Sequence, residues 1–414
     1  MIGSSKQAVT ASFASTRSGA LRQLEEFVSV AGRYVSRRNY VTAEHANVSR
    51  LSPAISHGLI SLEECVDAVR KRYRPSSVEK FLQELAWRRY WKSWLSLRPQ
   101  VWTDYTRELD LHLHEPEHRQ AIESANRVEA GESRVAIMNH FVQELTTTGY
   151  MHNHARMWFA AWWVHVERLP WVLGADLFMR HLLDADAASN TLSWRWVAGL
   201  QTPGKTYLPR RSNLEKYLDH DILATQTDGL ELLENPVALQ PDTPEKALIT
   251  RLQLSEETPR AGVRSGIWVH DEDLCIERGP LAESKPKAIV LVPRPVDKKT
   301  PNHKLAWRQQ AFNDAVERVR DHYGVPASQS VGVEMTDALC KWARDHNLQQ
   351  ILTMRPEVGL LDDEVEIIRE ALMNQGVRLV LVDREEILDS RSLATGGFFG
   401  YWKKIQSRGW FGTQ

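Results

Sequence analysis

Two periods of hydrophobic spacing divide the chain. Up to about residue 220 the apolar residues recur at intervals of three and four, as they do along one face of an α-helix. Residues 17–40, RSGALRQLEEFVSVAGRYVSRRNY, read as an amphipathic helix with Tyr34 and a cluster of arginines towards its end. FLQELAWRRYWKSWL sets Glu84, Trp87, Arg88 and Trp91 three and four residues apart, hence on one stripe. MHNHARMWFAAWWVHVERLPW and FMRHLLDADAASNTLSWRW are expected to form two or three helices on either side of Pro170. Asn153, Arg156 and Met157 then share one face, and Asp184, Asp186 and Asn190 are expected along a helix ending near Trp194. From Gly266 the period changes. IWVH, AIVLVP, SVGV, QQILTM and RLVLVD are short apolar runs rich in β-branched residues, most of them separated by helical patterns such as KLAWRQQAFNDAVERVRDHYG. Strands alternating with helices predict a doubly wound parallel sheet.

The pattern therefore predicts a multidomain α and α/β protein. Its expected parts are an all-helical domain over 1–220, a polar proline-containing connector over 221–262, a Rossmann-like α/β domain over 263–389, and a C-terminal segment over 390–414. A chain of 414 residues is long enough for two or three such units. No run of about 18 apolar residues is present, and the opening MIGSSKQAVTAS lacks the hydrophobic core of a signal peptide. A cytoplasmic location, with no membrane partner, is the expectation. Cys65, Cys275 and Cys340 are too few and too scattered for a disulfide framework or a four-cysteine metal or iron–sulfur site, and read as buried thiols. The net charge of −1 conceals an asymmetry: residues 1–220 carry 28 Lys+Arg against 23 Asp+Glu, and the remainder 24 against 30. A mildly basic first part is compatible with lying on a polyanion. Residues 103–135 read as a polar, solvated loop; His112, His114 and His118 within it have no cysteine or second carboxylate cluster to complete a metal site, so none is expected.

The chemistry concentrates where charge meets tryptophan. Arg156, Asp184 and Asp186 stand in an aromatic-rich block, where an unpaired charge is costly, so they should be paired with one another or touch a polar ligand. Glu84 and Arg88 could form a simple salt bridge on an exposed face, but Trp87 and Trp91 beside them point to burial. SRLSP reads as a helix start with proline in the first turn. No GxGxxG follows the first strand of the α/β part, so a dinucleotide is not its expected ligand.

MHNxxRM, followed by LxDxDxAxN and the WxW pair Trp194 and Trp196, resembles the flavin-binding core of the photolyase and cryptochrome family. The resemblance implies a helical cavity holding U-shaped FAD. Ser49, Arg50, Leu51 and Ser52 match the segment that holds the FAD pyrophosphate, with Val48 where the family has threonine, and Tyr34 falls near a phosphate-contacting tyrosine. Arg88, Asn153 and Asp186 are implied as further cofactor contacts, Arg156 and Asp184 as an ion pair beside the isoalloxazine, and Asn190 as the side chain facing flavin N5. Lys205, Arg210 and Arg211 are available for phosphates. Glu84 corresponds to a residue that bonds the damaged pyrimidine and Trp87 to one that stacks on it, with Asn153, Met157 and Trp196 also facing substrate. Asn153 and Met157 match the cyclobutane-dimer type of enzyme. Trp194 and Trp171 match the inner members of an electron-transfer chain whose outer tryptophan is here Val128, with Trp158, Trp162 and Trp163 as candidate substitutes.

The α/β half resembles the family's antenna domain, which usually comes first. WVHDEDLCIERGPL stands for its opening, and SLATGGFFGYWKKIQSRGW resembles the segment leading into the FAD domain, so the resemblance implies a circular permutation. The implied function is a deoxyribodipyrimidine photolyase-like lyase: light-driven, FAD-dependent splitting of cyclobutane pyrimidine dimers in UV-damaged DNA, single- or double-stranded. The alternative is a blue-light photoreceptor without repair activity, to which Val128 and His154, standing where the family often has a DNA-phosphate arginine, lend support. A monomer is expected. The antenna pigment is left open.

Overall fold

The computed structural model describes residues 13–202, 206–240, 247–250, 258–294 and 296–410. Lys205 and the stretch MIGSSKQAVTAS lie outside them. The helices of the first part are α1 (Arg17–Val30), α2 (Tyr34–Arg37), α3 (Ser52–Ser56), α4 (Leu62–Arg70), α5 (Pro75–Ser96), α6 (Gln100–His114), α7 (Arg119–Glu129), α8 (Ala136–Thr148), α9 (Asn153–His165), α10 (Trp171–His181) and α11 (Ala187–Val197). The short helices α12 (Arg211–Tyr217) and α13 (His220–Thr225) follow. The second part runs β1 (Ser265–Val269), β2 (Ala288–Leu291), α14 (Asn302–Tyr323), β3 (Ala327–Gln329), α15 (Met335–Asp345), β4 (Gln350–Met354), α16 (Asp362–Met373), β5 (Arg378–Val382), α17 (Glu385–Arg391) and α18 (Phe398–Ser407).

Local chemistry sets several of these boundaries. Ser61 and Glu64 form a reciprocal capping box at the start of α4. Pro75 opens α5, where its missing N–H is not needed. Asp186 caps α11 by accepting from the Ser189 N–H at 2.8 Å, and Gly149 ends α8 at φ 72°. Trp158, Trp162, Trp163 and Trp194 are fully buried and pack with Phe141, Phe159 and Phe178 into the helical core.

The sheet is five-stranded and parallel, in the order β3-β2-β1-β4-β5. Its side chains alternate between two cores. Ile267, Val269, Ile289, Leu291, Leu352 and Val380 face α14 and a core shared with α1, α4 and α5, whereas Trp268, Val290, Ile351, Leu379 and Leu381 face α15 and α16. One face of the sheet is thus continuous with the helical part.

Four expectations need correction. SVGV is not a strand: β3 lies just before it, and Val331 and Val333 are exposed, because this edge strand pairs with β2 for only three residues. Residues 103–135 are largely helical, since Val101, Trp102, Tyr105 and Val128 supply a buried face that the polar residues between them conceal. The connector carries α13 and a 3₁₀ turn at Leu230–Leu233, with Leu230 and Leu233 buried. Asp184 is not on a helix: α11 starts at Ala187 because Asp186 serves as its cap.

Glu129 joins α7 to α10. Its carboxylate accepts from Arg180 Nη1 and Nη2 at 2.6 and 2.8 Å and lies 2.8 Å from His181 Nε2. Burial pushes this carboxyl up, but the bonds from His181 and Arg180 outweigh it and hold it at about 2 against an ordinary 4.5. A depressed carboxylate adds stability above its ordinary value and loses it as pH falls through the folded one. Glu129→Gln should therefore lower unfolding free energy by about 2 kcal/mol at pH 7. In urea melts across pH, the gap from the parent should close between 4.5 and about 2.

Candidate functional site

The SRLSP segment makes a sharp entry into α3. Arg50 is left-handed at φ 54°, Leu51 is buried, and Gln23 Nε2 donates to the Ser49 carbonyl at 2.8 Å, tying the turn to α1. From α5, Arg88 donates to Ser56 Oγ at 2.7 Å and to Asp186 Oδ2 at 3.2 Å. Ser56 Oγ in turn donates to the Asp184 carbonyl at 2.9 Å. From α9, Arg156 donates through Nη2 to Asp184 Oδ2 at 3.0 Å and through Nε to the Met151 carbonyl at 2.8 Å. Ser49–Ser56, α5, α9 and the turn before α11 thus converge on one buried carboxylate. Burial alone would raise the Asp184 carboxyl, but the Arg156 and Arg88 charges, with Ser52 adjoining, hold it below the usual range. Asn190, also buried, donates to the Ala175 carbonyl at 2.8 Å.

Several buried polar atoms around this point have no partner among the described residues, Asp184 Oδ1, Arg50 Nε and His152 Nε2 among them. His152 Nδ1 accepts the His154 N–H at 3.1 Å, so Nε2 carries the proton. Burial and nearby His45, His154 and arginines keep His152 neutral, down at about 3. Of these, one acceptor and two donors are open beside the buried Tyr150, over whose ring Arg156 lies at 5.6 Å. Buried groups of this kind normally have partners, and a ligand with both donor and acceptor edges and an anionic portion, as FAD is, fits them.

A second group forms at the other end of the stripe on α5. Glu84 pairs with Arg38 and not with Arg88, and Tyr34 packs edge-on to Phe81, with Arg38 and Glu84 close to its phenol. Burial raises both the Tyr34 phenol and the Glu84 carboxyl, although Arg38 works against it at Glu84. Trp87 stacks on Phe398 of α18, ring centroids 3.8 Å apart and planes at 8°. Met157 is half-buried and Asn153, at the first turn of α9, is exposed. Trp196 is half-buried, with its ring 6.0 Å from Tyr207. Trp194 is buried against Gly174, where a Cβ would come within 2.3 Å of the indole, and Trp171 is buried nearby on α10. Sequence reasoning missed Ser56, Arg38, Tyr150, His152 and Phe398. Arg38 had a signal, standing one helical turn after Tyr34; Phe398 had none, because its contact spans the whole chain.

One cavity lies beside these residues and shares Arg88 with them. It measures about 320 Å³ and sits between α4, α5 and the loops at the C-terminal ends of β1 and β4, where the strand order reverses; Arg88, Arg89, Lys92, Asp273 and Glu357 line it. Arg88 borders both places.

Residues 81–221 match the family model described as the FAD binding domain of DNA photolyase. The deoxyribodipyrimidine photo-lyase of Streptomyces griseus is 33% identical over 158 residues, 37% of this chain and 32% of that protein. The one from Escherichia coli K12 is 28% identical over 212 residues, 48% of this chain and 42% of that protein. The chain thus spans less than half the length of these curated relatives. A class III photolyase structure from Agrobacterium tumefaciens is 25% identical with a TM-score of 0.41, covering 49% of this chain and 42% of that one. A cryptochrome structure from Synechocystis is 22% identical with a TM-score of 0.42, covering 52% and 46%. These matches support a place in the photolyase/cryptochrome family. It carries that family's FAD-binding domain, joined to a parallel α/β unit.

Removing Arg156 tests the buried pair. Its side chain is 22% exposed and that of Asp184 only 4%, so Arg156→Ala strands a buried carboxylate and should cost about 3–5 kcal/mol. Urea unfolding should register the loss, and flavin absorbance after purification should fall with it.

Proposed function

We propose that this protein uses blue light to split cyclobutane pyrimidine dimers in UV-damaged DNA, with FAD held by residues before about 220. The observation that carries the reading is the convergence of Ser52, Arg88, Arg156, Asp184 and Asp186, from four separate segments, on one buried point with unpartnered polar atoms. When bound, FAD supplies the electron that opens the dimer. The chain's residues do the rest. Arg156 and Asp184 hold the flavin ring, Ser49, Arg50, Leu51, Ser52 and Tyr34 its phosphates, and Asn190 keeps a neutral amide beside it. The tryptophan core excludes water. Glu84 hydrogen-bonds the dimer, Trp87 and Trp196 flank it, and Asn153 and Met157 border it at the mouth, the flipped-out bases being extracted from the duplex at a cost of a few kcal/mol.

The circularly permuted order belongs to the same proposal, with helical unit first and antenna-type unit second. The C-terminal segment returns to α5, where Tyr90 Oη donates to the Gly396 carbonyl at 2.8 Å and Arg98 to the Ala394 and Thr395 carbonyls at 3.2 and 3.0 Å. One observation favours the photoreceptor reading instead: one face of Trp87 is already covered by Phe398.

A repair assay decides between the two. Glu84→Ala should retain flavin, since the buried Arg156–Asp184 pair is untouched, yet lose one charge-assisted hydrogen bond to the dimer, about 1.5–3 kcal/mol in binding or yield. If fully reduced parent protein leaves dimer-containing DNA unrepaired under blue light while its flavin still changes redox state, the photoreceptor reading replaces repair.

A further inference from the structure

Where the resemblance calls for an outer tryptophan, this chain has Val128, a buried aliphatic side chain with no redox chemistry. Another aromatic series leaves Trp171. Its ring lies 5.5 Å from Tyr105, and Tyr105 lies 5.3 Å from Trp102, centroid to centroid, with interplanar angles of 41° and 40°. Both residues stand one turn apart on α6, at 2% and 3% exposure. The indole N–H of Trp102 donates to Asp363 Oδ2 on α16 at 2.9 Å, so the series ends on a carboxylate of the α/β part.

We propose that Trp102, reached from Trp171 through the ring of Tyr105, is the outer end of this protein's electron-transfer chain, with Asp363 as the base that takes its proton. The proposal rests on the flavin reading above. With photoexcited oxidised flavin as the one-electron oxidant, Trp194 would give one electron and be refilled by Trp171, the pair that the resemblance implies; Trp171 would be refilled by Trp102 across Tyr105. The Trp102 indole cation then passes its Nε1 proton to Asp363 Oδ2. One electron has moved to the flavin, and Trp102 is left as a neutral radical beside a protonated carboxyl.

The surroundings of each ring favour outward movement. The Trp194 indole N–H is buried with no acceptor among the described residues, so a cation there has no protein group to take its proton. At Trp171 the Arg195 guanidinium lies 6.0 Å from the ring centroid and opposes positive charge, while the Glu108 carboxyl beside it is a competing proton acceptor. At Trp102 the acceptor Asp363 Oδ2 stands at 2.9 Å and its carboxyl is raised by burial, as that of Glu108 is, so what separates the two sites is the Arg195 charge at Trp171.

Transient absorption and electron paramagnetic resonance on the flavin-loaded protein test this without any repair assay. Trp102→Phe and Tyr105→Leu should each lower the yield of lasting flavin photoreduction several-fold and remove a long-lived deprotonated tryptophanyl signal. Tyr105→Phe keeps the bridging ring and should behave as the parent. Asp363→Asn, nearly isosteric, should shorten the radical's lifetime while leaving the first electron step from Trp194 unchanged; Trp342→Phe, on remote α15, is the control. Thermal melts matched to the parent establish that each variant folds, and Asp363→Asn keeps the test open if Trp102→Phe does not. A chain that retains no flavin overturns both readings. A chain that retains it, but in which Trp102→Phe and Asp363→Asn photoreduce with the parent's yield and radical lifetime, overturns this one alone and makes Trp171 the terminus, with Glu108 as its base.

Discussion

A carboxylate at 6% exposure inside a tryptophan core organises this molecule. Desolvation alone would make ionised Asp184 untenable, and the burial cost of such a charge is met only by close opposite charge and full hydrogen bonding. Arg156 arrives from α9, Arg88 contributes its charge from α5 while bonding Ser56 and Asp186, and Ser56 takes the Asp184 carbonyl. Segments more than a hundred residues apart in sequence are held in one register by this requirement. The satisfaction is incomplete, since Oδ1 remains open, and that is the feature of a binding site and not of a purely structural ion pair.

The same constraint reaches the sheet. Gly58, just after α3, has φ 64°, and a Cβ there would come 2.8 Å from the backbone of Asp273 in the turn after β1. His57 beside it lies with its ring nitrogens 2.8 Å from the Asp271 carbonyl and 3.0 Å from that of Leu183. The segment implied in cofactor binding is therefore wedged against the α/β part through backbone contacts that tolerate no extra atom. With one sheet face buried in the core shared by α1, α4 and α5, movement of the sheet would disturb the neighbourhood of Asp184.

What the sequence made legible follows from range. The helices of the tryptophan core were visible because burial on one face imposes a period of 3.6, and four of the five strands because both faces of a parallel sheet are apolar. β3 was misplaced because SVGV has the apolar alternation of a strand, while Ala327–Gln329 pairs through backbone on an edge and needs no such pattern. α6 was read as loop because its buried residues, Val101, Trp102 and Tyr105, cluster in its first two turns and its remainder is polar. Of the site, Arg156, Asp184 and Asp186 were legible as charges that an aromatic environment obliges to pair. Their partners Ser56 and Arg88 share a hydrogen bond across 32 residues, and no local pattern encodes that.

The stripe on α5 shows how a single helix divides three tasks. Glu84, Trp87 and Arg88 lie within five residues, yet each turns to a different neighbour: Arg38 of the segment after α2, Phe398 of α18, and Asp186 before α11. Each residue advances about 100° around the axis, so a helix packed on several sides presents successive side chains to different elements even where the spacing reads as one face. Arg88 is thereby committed to the buried carboxylates, and Glu84 to a half-exposed pair whose partner, Arg38, sits on the basic side of the chain. Phe398 covers one face of Trp87 at stacking distance. Glu84 and Trp87, the two residues proposed to meet the dimer, are thus each already engaged by a neighbour, and a base reaching them would have to share those contacts.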